Sequence, residues 1–170
     1  YALKYQRHLK GLVLSSMTAS IPSYMAYTAK LRAALPRDAV ATLEKYEATN
    51  SYDAPEYQHV IMEVLYKRHI CRHDPWPDPV QRAFKHVNAQ VYNTMQGNNE
   101  FVVTGNFKDW DRWADLPKIK VPTLVIGAKY DEMNPDDIRR EGSLIPRSRV
   151  LMCENGSHLA MWDDQEAYFR

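Results

Sequence analysis

The chain has 170 residues, of which 45% are hydrophobic, enough for one domain, or a domain with an insertion, to bury a core. With 22 Lys and Arg against 21 Asp and Glu, the formal net charge is +1, which leaves no electrostatic footprint for nucleic acid or an acidic membrane surface. No stretch approaches the roughly 20 apolar residues that cross a bilayer. Cys71 and Cys153 indicate neither a zinc site nor a disulfide framework. We therefore expect a soluble, cytoplasmic protein with no nucleic-acid or membrane partner.

The two ends of the chain both carry helical patterns. In YALKYQRHL, Tyr1, Tyr5 and Leu9 recur at near-helical spacing, and the last residues, QEAYFR, follow a similar pattern. The first residue is not a start methionine. We expect that the chain begins inside a helix and is a piece of a longer protein, so no targeting segment can be predicted.

Three short apolar runs predict buried strands of a parallel sheet, at residues 11 to 17, 123 to 129 and 149 to 154. Between the last two runs, PDDIRREGSLI has the acidic first turn of a helix after Pro135, and another helical segment begins near Trp162. Strand, helix, strand, helix is the pattern of a parallel sheet covered on both faces.

The stretch from about residue 20 to 115 has a different character. Its apolar residues follow helical spacing, as in Leu31, Leu35 and Leu43, and prolines interrupt it repeatedly. This stretch is far longer than an ordinary crossover between parallel strands, which takes about a dozen residues or more. We therefore predict an inserted helical cap, with the following division: sheet core 1–20, cap 21–115, sheet core 116–170.

Two chemically active side chains directly follow predicted strands. Asp131 comes after the strand at 123 to 129, and His158, in the sequence NGSH, comes after the next strand. Side chains just past the carboxyl ends of parallel strands face the ligand crevice. This carboxylate and imidazole fit the acid and base of a triad in the chain order Ser, Asp, His. Taken singly, Asp131 could instead cap the helix near Pro135, and a lone loop histidine is more often a solvated surface residue.

The nucleophile of such a triad is not found in the chain. No G-x-S-x-G elbow occurs, and Ser15 and Ser16, at the end of the first predicted strand, lack the glycines that a strained elbow requires. In α/β hydrolases, which use this triad order, the elbow opens the helix that precedes the next strand of the sheet, and the chain here begins inside such a helix. We therefore expect the serine upstream of Tyr1.

Over residues 100 to 169, the chain resembles a known family. The segments EFVVTGNFKDWDRWADLPKIKVPTLVIGAKYDEMNP and ENGSHLAMWDDQEAYF are similar to the carboxyl half of proline iminopeptidases and related amino-acid amidases. YALKYQ and GLVLSSM also resemble the family's segment after its elbow, whereas residues 20 to 99 match mainly in length and helical character. The resemblance implies an α/β-hydrolase fold, a mostly parallel sheet with an inserted helical cap. This chain would be its carboxyl-terminal part, with the missing amino-terminal half as partner.

The same resemblance implies roles for four residues. Asp131 and His158 would be the triad acid and base, and Glu100 and Glu132 would bind the free α-amino group of the substrate. Carboxylates removed from water can hold a positively charged amino terminus through charge-assisted hydrogen bonds. The alternative for both glutamates is ordinary surface charge, because 21 acidic residues are present. No metal or cofactor is required.

The predicted function is a serine hydrolase that releases an N-terminal proline or small apolar residue from short peptides, or hydrolyses amino-acid amides. Two alternatives stay open. One is an α/β hydrolase of another specificity, such as an esterase, epoxide hydrolase or dehalogenase. The other is a non-catalytic binding protein on the same fold.

Other residues are weaker candidates. Four aromatic residues could line a pocket for a proline ring, although large aromatics more often pack a cap against a core: Trp76, Trp110, Trp113 and Tyr130. One cluster has ligand-type side chains without a recognised zinc spacing: His69, Cys71, His73 and Asp74. Asp163 and Asp164 suit the start of the last helix and need no further role.

Overall fold

The computed structural model describes residues 1–170. Its strands are β1 (Leu12–Ser15), β2 (Thr123–Ala128) and β3 (Ser148–Cys153). Its α-helices are α1 (Ala2–Tyr5), α2 (Ile21–Ala33), α3 (Arg37–Glu47), α4 (Pro55–His59), α5 (Lys67–His69), α6 (Asp78–Lys85), α7 (Ala89–Met95), α8 (Pro135–Leu144), α9 (Ala160–Asp163) and α10 (Gln165–Tyr168). A π-helix spans Val60–Tyr66, and 3₁₀ turns span Gln6–His8 and Trp113–Lys118. None of the helices has the length and apolar character that a membrane span needs.

The three strands form one parallel sheet in the order β1-β2-β3. All three predicted strands therefore form, and the predicted parallel α/β arrangement is confirmed. β1 is shorter than its apolar run, because Ser16 adopts a left-handed φ of 47° that ends the extended backbone. β1 pairs only with β2, so its other edge has no partner within the chain.

The β2–α8 unit positions the candidate site. Asn134 caps α8 by accepting a hydrogen bond from the Asp136 amide at 3.1 Å, and Pro135 supplies the fixed φ that suits a first turn. The helix packs closely on β2 at Gly127, where an added Cβ would lie 2.6 Å from the Ile138 side chain. Only glycine fits this approach without displacing the helix. The connection from β2 to α8 is therefore fixed at both ends.

The two largest hydrophobic clusters lie in different parts of the molecule. The sheet core lies between the strands, α8 and the second 3₁₀ turn: Ala19, Leu116, Ile119, Val125, Ile138 and Ile145. The larger core lies within the helical stretch: Leu35, Ala39, Leu43, Tyr57, Val60, Ile61, Leu65, Tyr66, Ile70 and Phe101. The helices between β1 and β2 thus bury their own apolar face, as expected of an inserted cap. The exact limits of that cap, at 21 and 115, stay a prediction.

Candidate active site

Asp131 lies in the loop that follows β2 and is completely buried. Its Oδ1 accepts a hydrogen bond from the Met133 amide at 3.0 Å, which fixes the carboxylate against its own loop. Since Asn134 caps α8, the alternative role of Asp131 as the helix cap is wrong. The Tyr130 amide donates to the Gly156 carbonyl at 3.0 Å, and this bond ties the loop after β2 to the loop after β3.

His158 lies in the loop after β3, beside the neighbouring strand end. Its Nδ1 donates to Asp131 Oδ1 at 3.2 Å, and its side chain is 29% exposed while that of Asp131 is 0% exposed. The parallel order of β2 and β3 brings these two loops to one sheet edge. The histidine is therefore paired with the carboxylate and is not a freely solvated surface residue.

Glu132 is the third charged group of this cluster. Its Oε1 lies 2.8 Å from His158 Nδ1, but the hydrogen on that nitrogen is donated to Asp131. Both Glu132 oxygens are fully buried and have no hydrogen-bond donor. A buried carboxylate without donors is costly, and both of its oxygens keep their capacity to accept hydrogen bonds.

The three groups shift one another's pKa values. Burial opposes ionisation of Asp131, but His158 outweighs it, and the pKa of Asp131 lies below its ordinary value. Burial, opposed by His158 and reinforced by Asp131, raises the pKa of Glu132 well above its ordinary value. Burial alone would lower the pKa of His158, yet Glu132 and Asp131 raise it well above the usual range. The cluster therefore holds a proton to a higher pH than a free imidazole would.

The same three residues offer ligand atoms within 4.8 Å of one another, a spacing that a metal ion could use. The hydrogen bond from His158 to Asp131 argues against that use. The Nδ1 that donates a proton to Asp131 cannot bind a metal through the same nitrogen. The arrangement fits acid–base chemistry better than coordination.

Glu100 lies in the helical stretch and does not contact His158. Its carboxylate accepts a hydrogen bond from the Tyr92 hydroxyl at 2.7 Å and a longer one from Gln96 Nε2 at 3.4 Å. Its backbone carbonyl accepts from the hydroxyl of Tyr24. Burial first, and then Glu132 and Glu100, raise the pKa of Tyr24 well above its ordinary value. Both predicted amine-binding glutamates therefore act on the same phenol and converge on one region.

No serine of the chain is bonded to His158. Ser15 Oγ lies 3.0 Å from the Tyr168 hydroxyl, and Ser16 Oγ is buried without a partner. The structure thus brings together a buried carboxylate, an imidazole and a second buried carboxylate, with no serine hydroxyl bonded to the imidazole.

Comparison with curated proteins finds relatives along nearly the whole chain. The proline iminopeptidase of Flavobacterium johnsoniae is 43% identical over 169 residues, which cover 99% of this chain and 57% of that protein. The proline iminopeptidase of Saccharolobus solfataricus is 37% identical over 169 residues, which cover 99% of this chain and 54% of that protein. Over nearly its whole length, this chain is similar to proline iminopeptidases. No protein-family model matches it.

Solved structures give the same result for the fold. The crystal structure of VinJ matches with a TM-score of 0.93 at 37% identity, covering 98% of this chain and 57% of that one. The proline iminopeptidase of Mycobacterium smegmatis matches with a TM-score of 0.85 at 31% identity, covering 98% of this chain and 56% of that one. The predicted α/β-hydrolase fold is confirmed. The chain spans little more than half the length of the proline iminopeptidases it matches, as their carboxyl-terminal part.

The weaker candidate residues make structural contacts in this chain. Trp76 stacks on Tyr66 with ring centroids 6.4 Å apart, and the guanidinium of Arg140 lies 4.2 Å from the Trp113 ring centroid. His69 Nδ1 donates to the Tyr130 carbonyl at 2.8 Å, so its ring binds protein. The Trp113 and His69 contacts join the helical stretch to α8 and to the loop after β2, whereas Trp76 packs within the helical stretch.

Sequence reasoning missed Asp163. Its carboxylate accepts hydrogen bonds from the Ser157 amide at 3.1 Å and from the Arg72 amide at 2.9 Å, which links the histidine loop to the helical stretch. The only sequence signal was an acidic residue near the start of a helix. That signal is common, and it says nothing about a partner nearly a hundred residues earlier.

Proposed function

We propose that this chain supplies the acid and the base of a Ser-His-Asp triad in a serine aminopeptidase or amino-acid amidase. The observation that carries the proposal is the 3.2 Å contact between His158 Nδ1 and the buried Asp131 at the carboxyl edge of a parallel sheet. The similarity to proline iminopeptidases supports an α/β hydrolase with peptidase activity. The triad is our inference from the geometry, and the substrate class is what the similarity to proline iminopeptidases implies.

In the proposed reaction, neutral His158 donates its Nδ1–H to Asp131 in a hydrogen bond and uses Nε2 as the base. Nε2 takes the proton of the serine hydroxyl as that oxygen attacks the substrate carbonyl. It then gives the proton to the leaving amine, and an acyl-enzyme forms. Water hydrolyses the acyl-enzyme by the same proton transfers in reverse order. Asp131, which stays ionised because its pKa is lowered, stabilises the imidazolium that forms in each step.

Substrate selection in this proposal depends on charge. Glu132 has two buried oxygens without donors, and an ammonium group offers three N–H donors. Because Glu132 is completely buried, the ammonium reaches it only when the side chains that cover it move. Glu100 would bind the same ammonium from the helical side, with its carboxylate held by Tyr92. An N-terminal residue with a free amine is then placed with its carbonyl near His158.

The nucleophile and the oxyanion-binding amides belong, in this proposal, to an amino-terminal half outside the chain. Two observations support that assignment. β1 has an unpaired edge, with Val13 60% exposed and Tyr1 77% exposed, which a further strand and its neighbours would cover. The relatives are also longer, because the chain spans 57% of the Flavobacterium protein. The cytoplasmic location stays a prediction from composition.

The proposal is tested in the full-length protein that contains this chain. The glutamates are changed to Glu132→Gln and Glu100→Gln, which keep the shape and remove the charge. We expect kcat/KM for prolyl or alanyl anilide to fall on the order of ten- to a hundred-fold, since a charge-assisted bond contributes roughly 1.5–3 kcal/mol. Hydrolysis of an aryl ester without an amino group should change little when each variant is measured on the plateau of its own pH profile.

Glu141→Gln is the matched control. Glu141 is also a buried glutamate with an unpartnered oxygen, but it lies on α8 facing Ala19 and away from His158. Its replacement should leave the anilide-to-ester ratio unchanged. Equal losses on the anilide and the ester in the Glu132 and Glu100 variants would show that these residues support the fold or the triad, and amine recognition would have to be abandoned.

A further inference from the structure

The histidine loop is fastened to the helical stretch by residues 69 to 73, here called the clasp segment. We propose that Asp163 is a positioning residue that locks the His158 loop onto this clasp segment and so holds the imidazole on Asp131. This role rests on the proposed serine-hydrolase function. The clasp segment includes His69, Cys71 and His73, whose spacing in the sequence fitted a zinc site poorly, and the proposed role accounts for their position.

Asp163 collects four donors from two distant parts of the chain. On one side, Oδ2 accepts from the Ser157 amide at 3.1 Å and from the Ser157 hydroxyl. On the other side, Oδ1 accepts from the Arg72 amide at 2.9 Å and lies 3.6 Å from Cys71 Sγ. Burial raises the pKa of Cys71 to about 11, so the thiol keeps the proton that it donates. A carboxylate is the side chain that can accept from all four donors at once.

The backbone next to the histidine is bound to the same segment. The His158 amide donates to the His69 carbonyl at 2.9 Å, and the Leu159 amide donates to the Ile70 carbonyl at 2.8 Å. Residues 157, 158 and 159 therefore each donate a backbone hydrogen bond, either to Asp163 or to the clasp segment. This leaves the His158 side chain little freedom other than rotation about its own bonds.

The clasp segment also contacts the loop that carries the acid. His69 Nδ1 donates to the Tyr130 carbonyl at 2.8 Å, and the Arg72 guanidinium lies 3.7 Å from the centroid of the Tyr130 ring. Tyr130 immediately precedes Asp131. One segment thus touches both catalytic loops, and Asp163 is the side chain that closes the connection on the histidine side.

The geometry of the acid–base pair makes this connection matter. The bond from His158 to Asp131 is 3.2 Å long, beyond the roughly 2.7–2.9 Å of a strong charge-assisted bond, so further loosening would weaken it. A misplacement of about 1 Å can cost on the order of a hundred-fold in rate. Loss of the Asp163 carboxylate should therefore affect proton transfer more than substrate binding.

The test uses Asp163→Asn in the full-length protein, because asparagine keeps the size but turns an amide NH₂ toward existing donors. We expect kcat for an aryl ester to fall about 10- to 100-fold while KM changes less than about two-fold. The rate of covalent inactivation by an aryl phosphonate, counted per reactive site, should fall by the same factor as kcat. Ser157→Ala removes only the hydroxyl donor and should give a smaller loss in the same direction.

Asp164→Asn is the matched control, since the neighbouring Asp164 accepts a bond from the Asn155 amide at 3.0 Å and does not reach the clasp segment. It should keep the parent kcat. If Asp163→Asn lowers only the melting temperature, with kcat per phosphonate-titrated site unchanged, the positioning role is wrong. Should Asp163→Asn not fold, an unchanged kcat in Ser157→Ala would have the same meaning. A parent protein that does not react with the phosphonate would refute the serine mechanism itself, and the role of Asp163 with it.

Discussion

Glu132 and Glu100 have the same side chain in two different settings. Glu132 lies in the loop after β2, fully buried, 2.8 Å from His158 Nδ1 and without a donor for either oxygen. Glu100 lies in the helical stretch, only partly buried, and accepts bonds from Tyr92 and Gln96. On the sheet side of the site, Glu132 therefore lacks hydrogen-bond donors, whereas on the helical side Glu100 already has them.

This difference separates two tasks that carboxylates perform in the proposed site. The unsatisfied Glu132 raises the pKa of His158, so it influences the base as well as any bound ammonium. Glu100 accepts from the Tyr92 hydroxyl and the Gln96 amide of its own region, and in the proposed site it acts on the substrate rather than on His158. Substitutions on the sheet side should alter the proton-transfer steps of hydrolysis, and substitutions on the helical side should alter the preference for substrates with a free amine.

The largest effect is expected at Asp131, on the sheet side. Asp131→Asn keeps the size of the side chain but removes the charge that holds the Nδ1 proton and stabilises the imidazolium. We expect kcat/KM to fall roughly 10⁴-fold for ester and anilide alike, in line with triads elsewhere. The measurement is steady-state hydrolysis of both substrates by the full-length protein.

Asp136→Asn serves as its control. Asp136 is exposed on α8 and pairs with Arg139 at 3.1 Å, so its loss should not change the rate. A decrease confined to the anilide in Asp131→Asn would place Asp131 in amine recognition. That result would remove the distinction between the two sides of the site.

A smaller effect concerns the pH dependence of ester hydrolysis. His158 must be neutral to act as base, and the acidic limb of kcat/KM reports the pH at which the cluster loses its proton. Because Glu132 and Asp131 raise the pKa of His158, this limb should lie above the ordinary range of histidine. Glu132→Gln removes one negative charge, lowers the pKa of His158 and should move the limb to lower pH.

Glu100→Gln is the comparison for this pH profile. Glu100 does not contribute to the pKa shift of His158, so its replacement should leave the acidic limb in place. An aryl ester without an amino group is used, since substrate ionisation then does not enter the profile. Equal shifts in both variants would mean that the two glutamates are electrostatically equivalent.

The parts of the molecule that were predictable from sequence are those set by local patterns. The apolar runs around Val125 and Val150 predicted strands because continuous apolar segments between turn signals suit a buried parallel sheet. The parallel order then places Asp131 and His158 at one edge. These positions needed only strand ends, not side-chain contacts. The β-strand limits shifted by one or two residues, as at Ser16.

The parts that were not predictable depend on tertiary contacts. The sequence around Asp131 also suited a helix cap, and only the structure shows that Asn134 takes that role. Val60–Tyr66 follows helical spacing, but its hydrogen bonding is that of a π-helix. The connection of Asp163 to Arg72 joins residues far apart in the chain, and no local spacing encodes it.

The most direct test of the central claim is covalent labelling of the full-length protein with an aryl phosphonate, followed by peptide mapping. We expect one labelled serine per molecule, located upstream of Tyr1, with labelling that is lost in His158→Ala. Labelling of Ser15, Ser16 or another serine within residues 1–170, or labelling that is independent of His158, would contradict it.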